Sequence, residues 1–186
     1  GSDLVFHALV KNLDFYEEKK ANFLNLITVS ESKVELEEIK SVFKEIGIET
    51  NIIPRFSKVE EIKKAGEATV SISINDDEAN YLNEILKDKI NIPFLSGETP
   101  IGIERTSKWF LKAAEAVNLR EEGKRIVYKK VDELKKYINE FQFGRLGVYV
   151  DLKASIALSI NNLLKELGLE IKGVTFDHID TLDADK

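Results

Sequence analysis

One short element occurs twice in this chain, about a domain length apart. The segment FKEIGIE at Phe43–Glu49 recurs as LKELGLE at Leu164–Glu170. In both copies an apolar strand pattern precedes an amphipathic helix, which ends at a glycine and leads into another strand. This is the element order of a parallel α/β unit, in which a helix connects two neighbouring strands. Because the second copy lies close to residue 186, we predict one complete α/β domain followed by the start of another.

Strand and helix patterns alternate four times in the first two thirds of the chain. The predicted strands are Phe23–Val29, Thr50–Ile53, Ala68–Ile74 and Ile92–Leu95. Capping-box spacing predicts that helices begin at Ser32, with Glu35, and at Ser57, with Glu60. A third helix is predicted to begin at Asp76 or Asp77, and a fourth at Thr99, with Pro100 in its first turn. This order predicts a Rossmann-like parallel sheet with helices on both faces.

The remaining patterns complete the predicted organisation. Asp3–Leu13 reads as a short helix, and Glu121–Phe141 as a long charged helix with a narrow apolar seam that is suited to packing. After Gly144 a strand, a helix and a strand follow. We therefore predict residues 1–22 as an N-terminal helix and lead-in, 23–118 as a complete α/β domain, 119–143 as a connecting helix and 144–186 as a truncated second domain.

Charge and composition exclude several classes of function. The chain has 27 basic and 33 acidic residues, a net charge of −6, whereas a nucleic-acid binder needs clustered Lys and Arg. No apolar run approaches the roughly 20 residues that span a bilayer, and the N-terminus lacks a signal sequence, so a cytoplasmic location is expected. Cysteine is absent, which excludes thiolate chemistry within the chain. The Gly1-Ser2 start resembles a cloning scar and predicts a piece of a larger protein.

Candidate ligand-binding residues lie where the predicted strands end, since ligands of parallel sheets gather at the carboxyl ends of the strands. No glycine-rich phosphate loop follows any strand, which argues against direct nucleotide binding. Asn75, Asp76, Thr99 and His178 are the candidates for cofactor binding.

Each candidate also has a structural interpretation. Helix capping is the commoner role for Ser57, Asp77 and Thr99, whereas Asn75 is less obviously a cap. His178 lies beside two carboxylates, Asp177 and Asp180, but a single histidine without a second nitrogen or sulfur ligand makes a weak metal site. We therefore predict no metal ligand and no catalytic residue in this chain.

Four segments together resemble the nitrogenase component 1 family, which includes nitrogenase molybdenum–iron protein subunits, cofactor-assembly scaffolds and related tetrapyrrole reductases. Pro100–Thr106, followed by an aromatic-apolar helix, is similar to a motif of that family. The strand, helix and turn of the family's middle domain resemble Phe23–Val29 with Phe43–Ile48. A helix–strand segment that follows in the family resembles Asn80–Pro93. Gly144–His178 resembles the opening of the third domain, including its GxxF-(D/A)H-x-D stretch.

The resemblance implies a part of a two-component, ATP-driven oxidoreductase. A separate iron–sulfur ATPase would deliver electrons, and a homologous component 1 subunit would be the other partner. In catalytic alpha subunits a cysteine six residues before the tyrosine of the Asn-Tyr pair holds the metal cofactor. Counting back from Tyr81 reaches Asn75, whose amide cannot replace a thiolate for soft iron.

A second departure from the family pattern supports the same expectation. Val150-Asp151 stands where catalytic subunits carry paired glycines after the third-domain strand. We therefore expect no cofactor in this segment, although the whole protein could hold an iron–sulfur cluster or a metal cofactor. The segment is expected to line a cofactor or substrate pocket, to support subunit assembly, and to be inactive alone.

Two alternatives from other classes stay open at the level of sequence. One is a small-ligand-binding α/β module, chelatase-like or similar to periplasmic binding proteins, which grips its ligand between two lobes. The other is a purely structural assembly partner, which predicts no stabilisation by a ligand.

Overall fold

The computed structural model describes residues 10–28, 32–53, 57–74, 76–97, 99–140, 146–152 and 154–176. The elements in chain order are β1 (Phe23–Ile27), α1 (Lys33–Glu45), β2 (Glu49–Ile53), α2 (Val59–Lys63), a 3₁₀ turn (Lys64–Glu67), β3 (Val70–Ser73), α3 (Asp76–Ile90), β4 (Phe94–Leu95), α4 (Ile103–Ala116), α5 (Arg120–Glu140), β5 (Gly147–Leu152), α6 (Ala154–Glu166) and β6 (Glu170–Phe176). The predicted helix at Asp3–Leu13 lies mostly outside the described residues. Within the described ranges, none of the helices combines the length and apolarity needed to cross a bilayer.

The chain divides into two compact units. The first comprises Gly1–Gly97 and Phe110–Ile126, and the second comprises Glu98–Trp109 and Val127–Lys186. The domain boundaries inferred from the sequence, after residues 22, 118 and 143, remain predictions.

A four-stranded parallel sheet forms the centre of the first unit. Its strand order is β2-β1-β3-β4, with Leu24 opposite Thr50 on one side and Val70 on the other. Ile27 and Ile53 belong to one buried cluster with residues of α2 and α3. Phe43 of α1 lies outside that cluster and stacks on Phe110, with ring centroids 4.9 Å apart. The predicted α/β class with a parallel sheet is confirmed.

Both copies of the repeated element end their helices in the same way. Gly47 and Gly168 have φ of +79° and +73°, the left-handed conformation that glycine adopts at little cost. The amide of Ile48 donates to Phe43 O at 3.0 Å, and that of Leu169 donates to Leu164 O at 2.9 Å. These bonds satisfy carbonyls that a helix end otherwise leaves unpaired, as in a Schellman motif.

Asparagine occupies the left-handed position at two further helix ends. Asn91, after α3, and Asn118, after α4, have φ of 51° and 61°. The next residues, Ile92 and Leu119, donate to Leu86 O at 3.2 Å and Ala114 O at 2.8 Å. Asparagine tolerates this conformation better than other residues with a side chain. The end of α4 therefore repeats the geometry of the two glycine ends, whereas the bond at the end of α3 spans six residues instead of five.

A row of polar side chains crosses the middle of the first sheet. Asn25 lies opposite Asn51 on one neighbouring strand and Ser71 on the other. Asn51 Nδ2 donates to Asn25 Oδ1 at 3.1 Å and to Glu61 O at 3.0 Å. Asn25 Nδ2 in turn donates to Ser71 Oγ at 3.1 Å and to Ala65 O at 2.9 Å. This row joins three strands to α2 and the 3₁₀ turn, and its hydrogen bonds offset the cost of burying amides.

The lead-in before β1 lies along α2 and the 3₁₀ turn. The amide of Tyr16 donates to Lys63 O at 3.1 Å, and that of Lys20 donates to Glu67 O at 2.8 Å. A Cβ added at Gly66 would lie only 2.0 Å from Tyr16 O. Glycine is therefore required at position 66 because the backbone of the lead-in passes directly over it.

A parallel pair of strands, β5 and β6, forms the sheet of the second unit. The pairing begins at Gly147 with Glu170, and its register shifts between Val148 and Tyr149. Among the described residues these two strands pair only with each other.

Two predicted helix starts differ from the structure. The predicted capping box of α2, Ser57 with Glu60, is displaced by one residue, since Lys58 is the N-cap and its amide donates to Glu61 Oε2 at 2.8 Å. The helix predicted to begin at Thr99 begins at Ile103. By contrast, the predicted box of Ser32 with Glu35 is confirmed.

Candidate functional site

The order of the strands identifies the edge of the first sheet at which a ligand site is expected. The chain runs from β1 outward to β2, and then returns past β1 to β3. The connections after β1 and β3 therefore lead to opposite sides of the sheet, which makes the carboxyl ends of these two strands a topological switch point. Ligands of open parallel sheets bind at such a switch point.

Two of the predicted site residues, Asn75 and Asp76, follow β3 in the chain. Asp76 is the first residue of α3, three residues after β3 ends at Ser73. Asn75 precedes it in the chain but lies outside the described residues, as does His178. The ligand-binding roles of these three residues remain predictions.

Thr28 is a polar residue of this edge that the sequence interpretation missed. It follows β1 directly, its amide donates to Ile53 O at 3.2 Å, and only 4% of its surface is exposed. Its Oγ1 is buried and has no hydrogen-bond partner among the described residues. An unpaired buried hydroxyl costs about 1–3 kcal/mol, so Thr28 presents an unsatisfied polar group at the edge where the strand order predicts a ligand. The available signal was a hydroxyl residue at the end of the apolar run Phe23–Ile27.

The two helices that follow β1 and β2 begin with their own acidic side chains as partners. At α1, Ser32 N donates to Glu35 Oε2 at 3.0 Å and Glu35 N donates to Ser32 Oγ at 3.3 Å. The backbone amide of Ser32, and then its hydroxyl, hold the pKa of Glu35 below its ordinary value. At α2, Glu61 accepts from the Lys58 amide. A helix start is an anion site, and here carboxylates of the chain already fill two of them.

Thr99 lies in the second unit and takes part in a hydrogen-bonded chain there. Its carbonyl oxygen accepts from Ser159 Oγ at 3.2 Å, and Ser159 Oγ in turn accepts from Arg105 Nη1 at 3.1 Å. Asn162 presents its side-chain oxygen to Arg105 Nε at 2.8 Å, in the amide orientation that satisfies both groups. Thr99 therefore anchors its backbone to α6, while its ligand-binding role remains a prediction.

The start of α4 is capped from a distant part of the sequence. Glu166 accepts from the amide of Ile103 at 2.6 Å and from that of Glu104 at 2.8 Å. Gly102 has φ of +89°, and a Cβ there would lie 2.9 Å from Glu166 Oε2. The Gly102 position thus needs glycine for its conformation and for the close approach of the carboxylate. This cap explains why the helix begins at Ile103, four residues after the predicted start at Thr99.

The described residues do not fit a metal cluster. They include no group of three or more His, Cys, Asp or Glu side chains that could hold a metal ion, and the chain contains no cysteine. Thiolate and imidazole are the ligands that suit soft iron, and the described residues include neither cysteine nor histidine.

Comparison with solved structures shows that this fold is known. Two structures titled nitrogenase Cp1, at pH 5 and at pH 6.5, are similar with TM-scores of 0.74 and 0.75. Both are 17% identical in sequence; they cover 95% and 96% of this chain, which spans only 38% and 36% of theirs. At this identity the likeness shows the fold.

Comparison by sequence gives one further match. No curated protein matches the chain significantly. The family model described as nitrogenase component 1 type oxidoreductase matches residues 1–186.

Proposed function

Because this chain belongs to the nitrogenase component 1 type oxidoreductase family, we propose that it is the middle domain, with the opening of the next, of a component 1 subunit. The subunit would work in the cytoplasm in a two-component reductase, together with a homologous component 1 subunit and a separate iron–sulfur ATPase that supplies electrons. The family match over residues 1–186 is the observation that carries this proposal.

The proposed role of the first unit is to line a cofactor or substrate pocket at the carboxyl ends of β1 and β3. The switch in strand order supports this location. The buried, unpartnered hydroxyl of Thr28 supports it independently, because a ligand with a hydrogen-bonding group would remove the cost of that group. Asn75 and Asp76 follow the neighbouring strand in the chain, whereas Thr99 and His178 remain separate candidates for cofactor binding.

The chain would shape this pocket without ligating a metal. Asn75 stands where the resemblance expects a cysteine, and an amide oxygen is a poor ligand for soft iron. A substitution Asn75→Cys is expected to leave the purified chain without stoichiometric iron or molybdenum, because one thiolate cannot hold a cluster. Metal bound at one equivalent in that variant would contradict this proposal. The chain by itself is proposed to be inactive and to support subunit assembly.

A matched pair of substitutions tests the pocket in a subunit that contains this segment. Thr28→Val removes the hydroxyl at the carboxyl end of β1, whereas Thr69→Val removes an exposed hydroxyl at the amino end of the sheet, which donates to Lys20 O at 3.1 Å. The assay follows ATP-dependent oxidation of the reduced iron–sulfur ATPase by its visible absorbance. Thr28→Val should slow turnover about tenfold, the value of about 1.4 kcal/mol for one hydrogen bond. Equal turnover rates for the two variants would contradict the proposal that Thr28 lines the pocket.

A further inference from the structure

The second half of α5 carries an apolar seam that the described residues leave partly exposed. Val127, Val131, Leu134 and Ile138 are spaced four, three and four residues apart, the spacing of a coiled-coil seam. Leu134 is 48% exposed, and the other three are only partly buried. The one fully buried residue of α5, Gly123, precedes the seam. We call this surface the α5 seam, and the described residues leave it partly uncovered.

Basic and aromatic residues flank the α5 seam. With Val131 and Ile138 at heptad position a, the flanking e and g positions are Tyr128, Lys130, Lys135 and Tyr137. Tyr128 is 74% exposed and Tyr137 is 63% exposed. Tyrosine is enriched at the centres of protein interfaces, where its ring is buried and its hydroxyl finds a partner.

The acidic residues of this stretch lie away from the flanks. Asp132 and Glu133 occupy outer positions of the heptad, and Asp132 pairs with Lys136 at 3.1 Å, one turn later on the same helix. No carboxylate of α5 therefore stands beside the seam between Val127 and Ile138.

We propose that the α5 seam binds an amphipathic helix of another protein, whose flanking positions carry Glu or Asp. The partner's apolar stripe would cover Val131 and Leu134, and its carboxylates would face Lys130 and Lys135. Charges at the e and g positions select the partner of a coiled coil, and both flanking charges on this helix have the same sign.

The same charges disfavour a second copy of this chain as the occupant. In a parallel pair, a residue at g faces the e residue five positions later on the other helix, which sets Lys130 against Lys135 of the second copy. In an antiparallel pair e faces e and g faces g, so no carboxylate meets either lysine. Like charges in these positions oppose association.

Two synthetic peptides of four heptads, each with Leu at a and d, test the proposal on the whole chain. One carries Glu at every e and g position and the other carries Lys, and binding is measured by fluorescence anisotropy of the labelled peptide at low and at physiological salt. The Glu peptide should bind at least about tenfold more tightly than the Lys peptide, with a preference that weakens as salt rises. Equal binding of both peptides, or binding of neither, would overturn the proposal.

Substitutions in the chain locate the contact. Lys130→Glu with Lys135→Glu should reverse the preference between the peptides, and Leu134→Asp should abolish binding of the Glu peptide. Because Leu134 is half-exposed, Leu134→Asp should leave the melting temperature nearly unchanged. The control is Val34→Asp on α1, where Val34 is 74% exposed and binding should be unaffected. A dimer of the unmodified chain that Leu134→Asp dissociates would assign the seam to a second copy instead.

Discussion

Replacing Thr28 by valine should make the chain more stable. The hydroxyl of Thr28 is buried and finds no partner in the part of the chain that the structure describes, and such a group costs about 1–3 kcal/mol relative to a paired one. Valine has nearly the same shape and places a methyl group where the hydroxyl lies, so the desolvation cost disappears and apolar contact is gained. We expect the free energy of unfolding to rise by about 1–2 kcal/mol, equivalent to about 2 to 8 °C in melting temperature for a chain of this size.

Hydrogen exchange followed by mass spectrometry is the suitable assay, because it reports on the first unit separately. Amides of β1 are buried in the middle of the sheet and should exchange only through global opening of that unit. A gain of 1–2 kcal/mol should slow their exchange by about 5- to 30-fold. Thr69→Val, which removes a hydroxyl that does have an acceptor, should speed exchange slightly or leave it unchanged.

The direction of the change in β1 exchange tests whether the Thr28 hydroxyl lacks a structural partner. If Thr28→Val speeds the exchange of β1, the hydroxyl has a structural partner and the argument for a ligand at this edge loses its main support. If exchange slows while turnover of the whole subunit falls, the chain gives up stability at Thr28 in favour of function.

Further predictions concern the backbone and the helix ends. Gly66→Ala should destabilise the first unit by at least about 2 kcal/mol, because the new Cβ would lie 2.0 Å from Tyr16 O. The control Gly97→Ala should be tolerated, since a Cβ there would have nothing within 4 Å. Equal melting temperatures for the two variants would contradict the close contact at Gly66. Gly47→Val should cost more than about 1 kcal/mol, since a β-branched residue would be held at φ of +79°; an unchanged urea midpoint would refute that assignment. The pKa of Glu35 is held below its ordinary 4.5, so its stabilising effect is present above that value and lost as the pH falls through the lower folded value. An NMR titration midpoint of Glu35 at or above 4.5 would disprove this.

Local signals were sufficient for most of the elements and for the repeated helix end. Gly47 and Gly168 follow apolar helical patterns, and glycine after such a pattern marks a left-handed turn whatever the surroundings. Asn91 and Asn118 adopt the same left-handed backbone conformation and were missed, because asparagine is also common in loops and caps. At α2 the favoured cap residue Ser57 is bypassed, because Glu61 accepts from the amide of Lys58, a residue whose side chain cannot cap a helix start.

Long-range contacts account for what could not be predicted. Thr99 and Pro100 are good residues for a helix start, but the carboxylate that caps α4 comes from Glu166, far along the chain. The importance of Thr28 depends on burial by other strands and on the absence of an acceptor in space. Neither leaves a local trace in the sequence. The ligand-binding roles of Asn75, Asp76, Thr99 and His178 remain predictions.

The polar row of Asn51, Asn25 and Ser71 has a consequence for how the sheet assembles. Apolar strands buried on both faces can slide past one another with little penalty, because most shifted pairings still bury valine and isoleucine. A slip of one residue at β1 would turn Asn25 to the opposite face, would leave the carbonyl of Ala65 without its donor, and would remove one of the two acceptors of Asn51 Nδ2. Each orphaned group would cost about 1–3 kcal/mol. The polar row therefore specifies the register of the strands, because it destabilises misaligned sheets more than it stabilises the correct sheet.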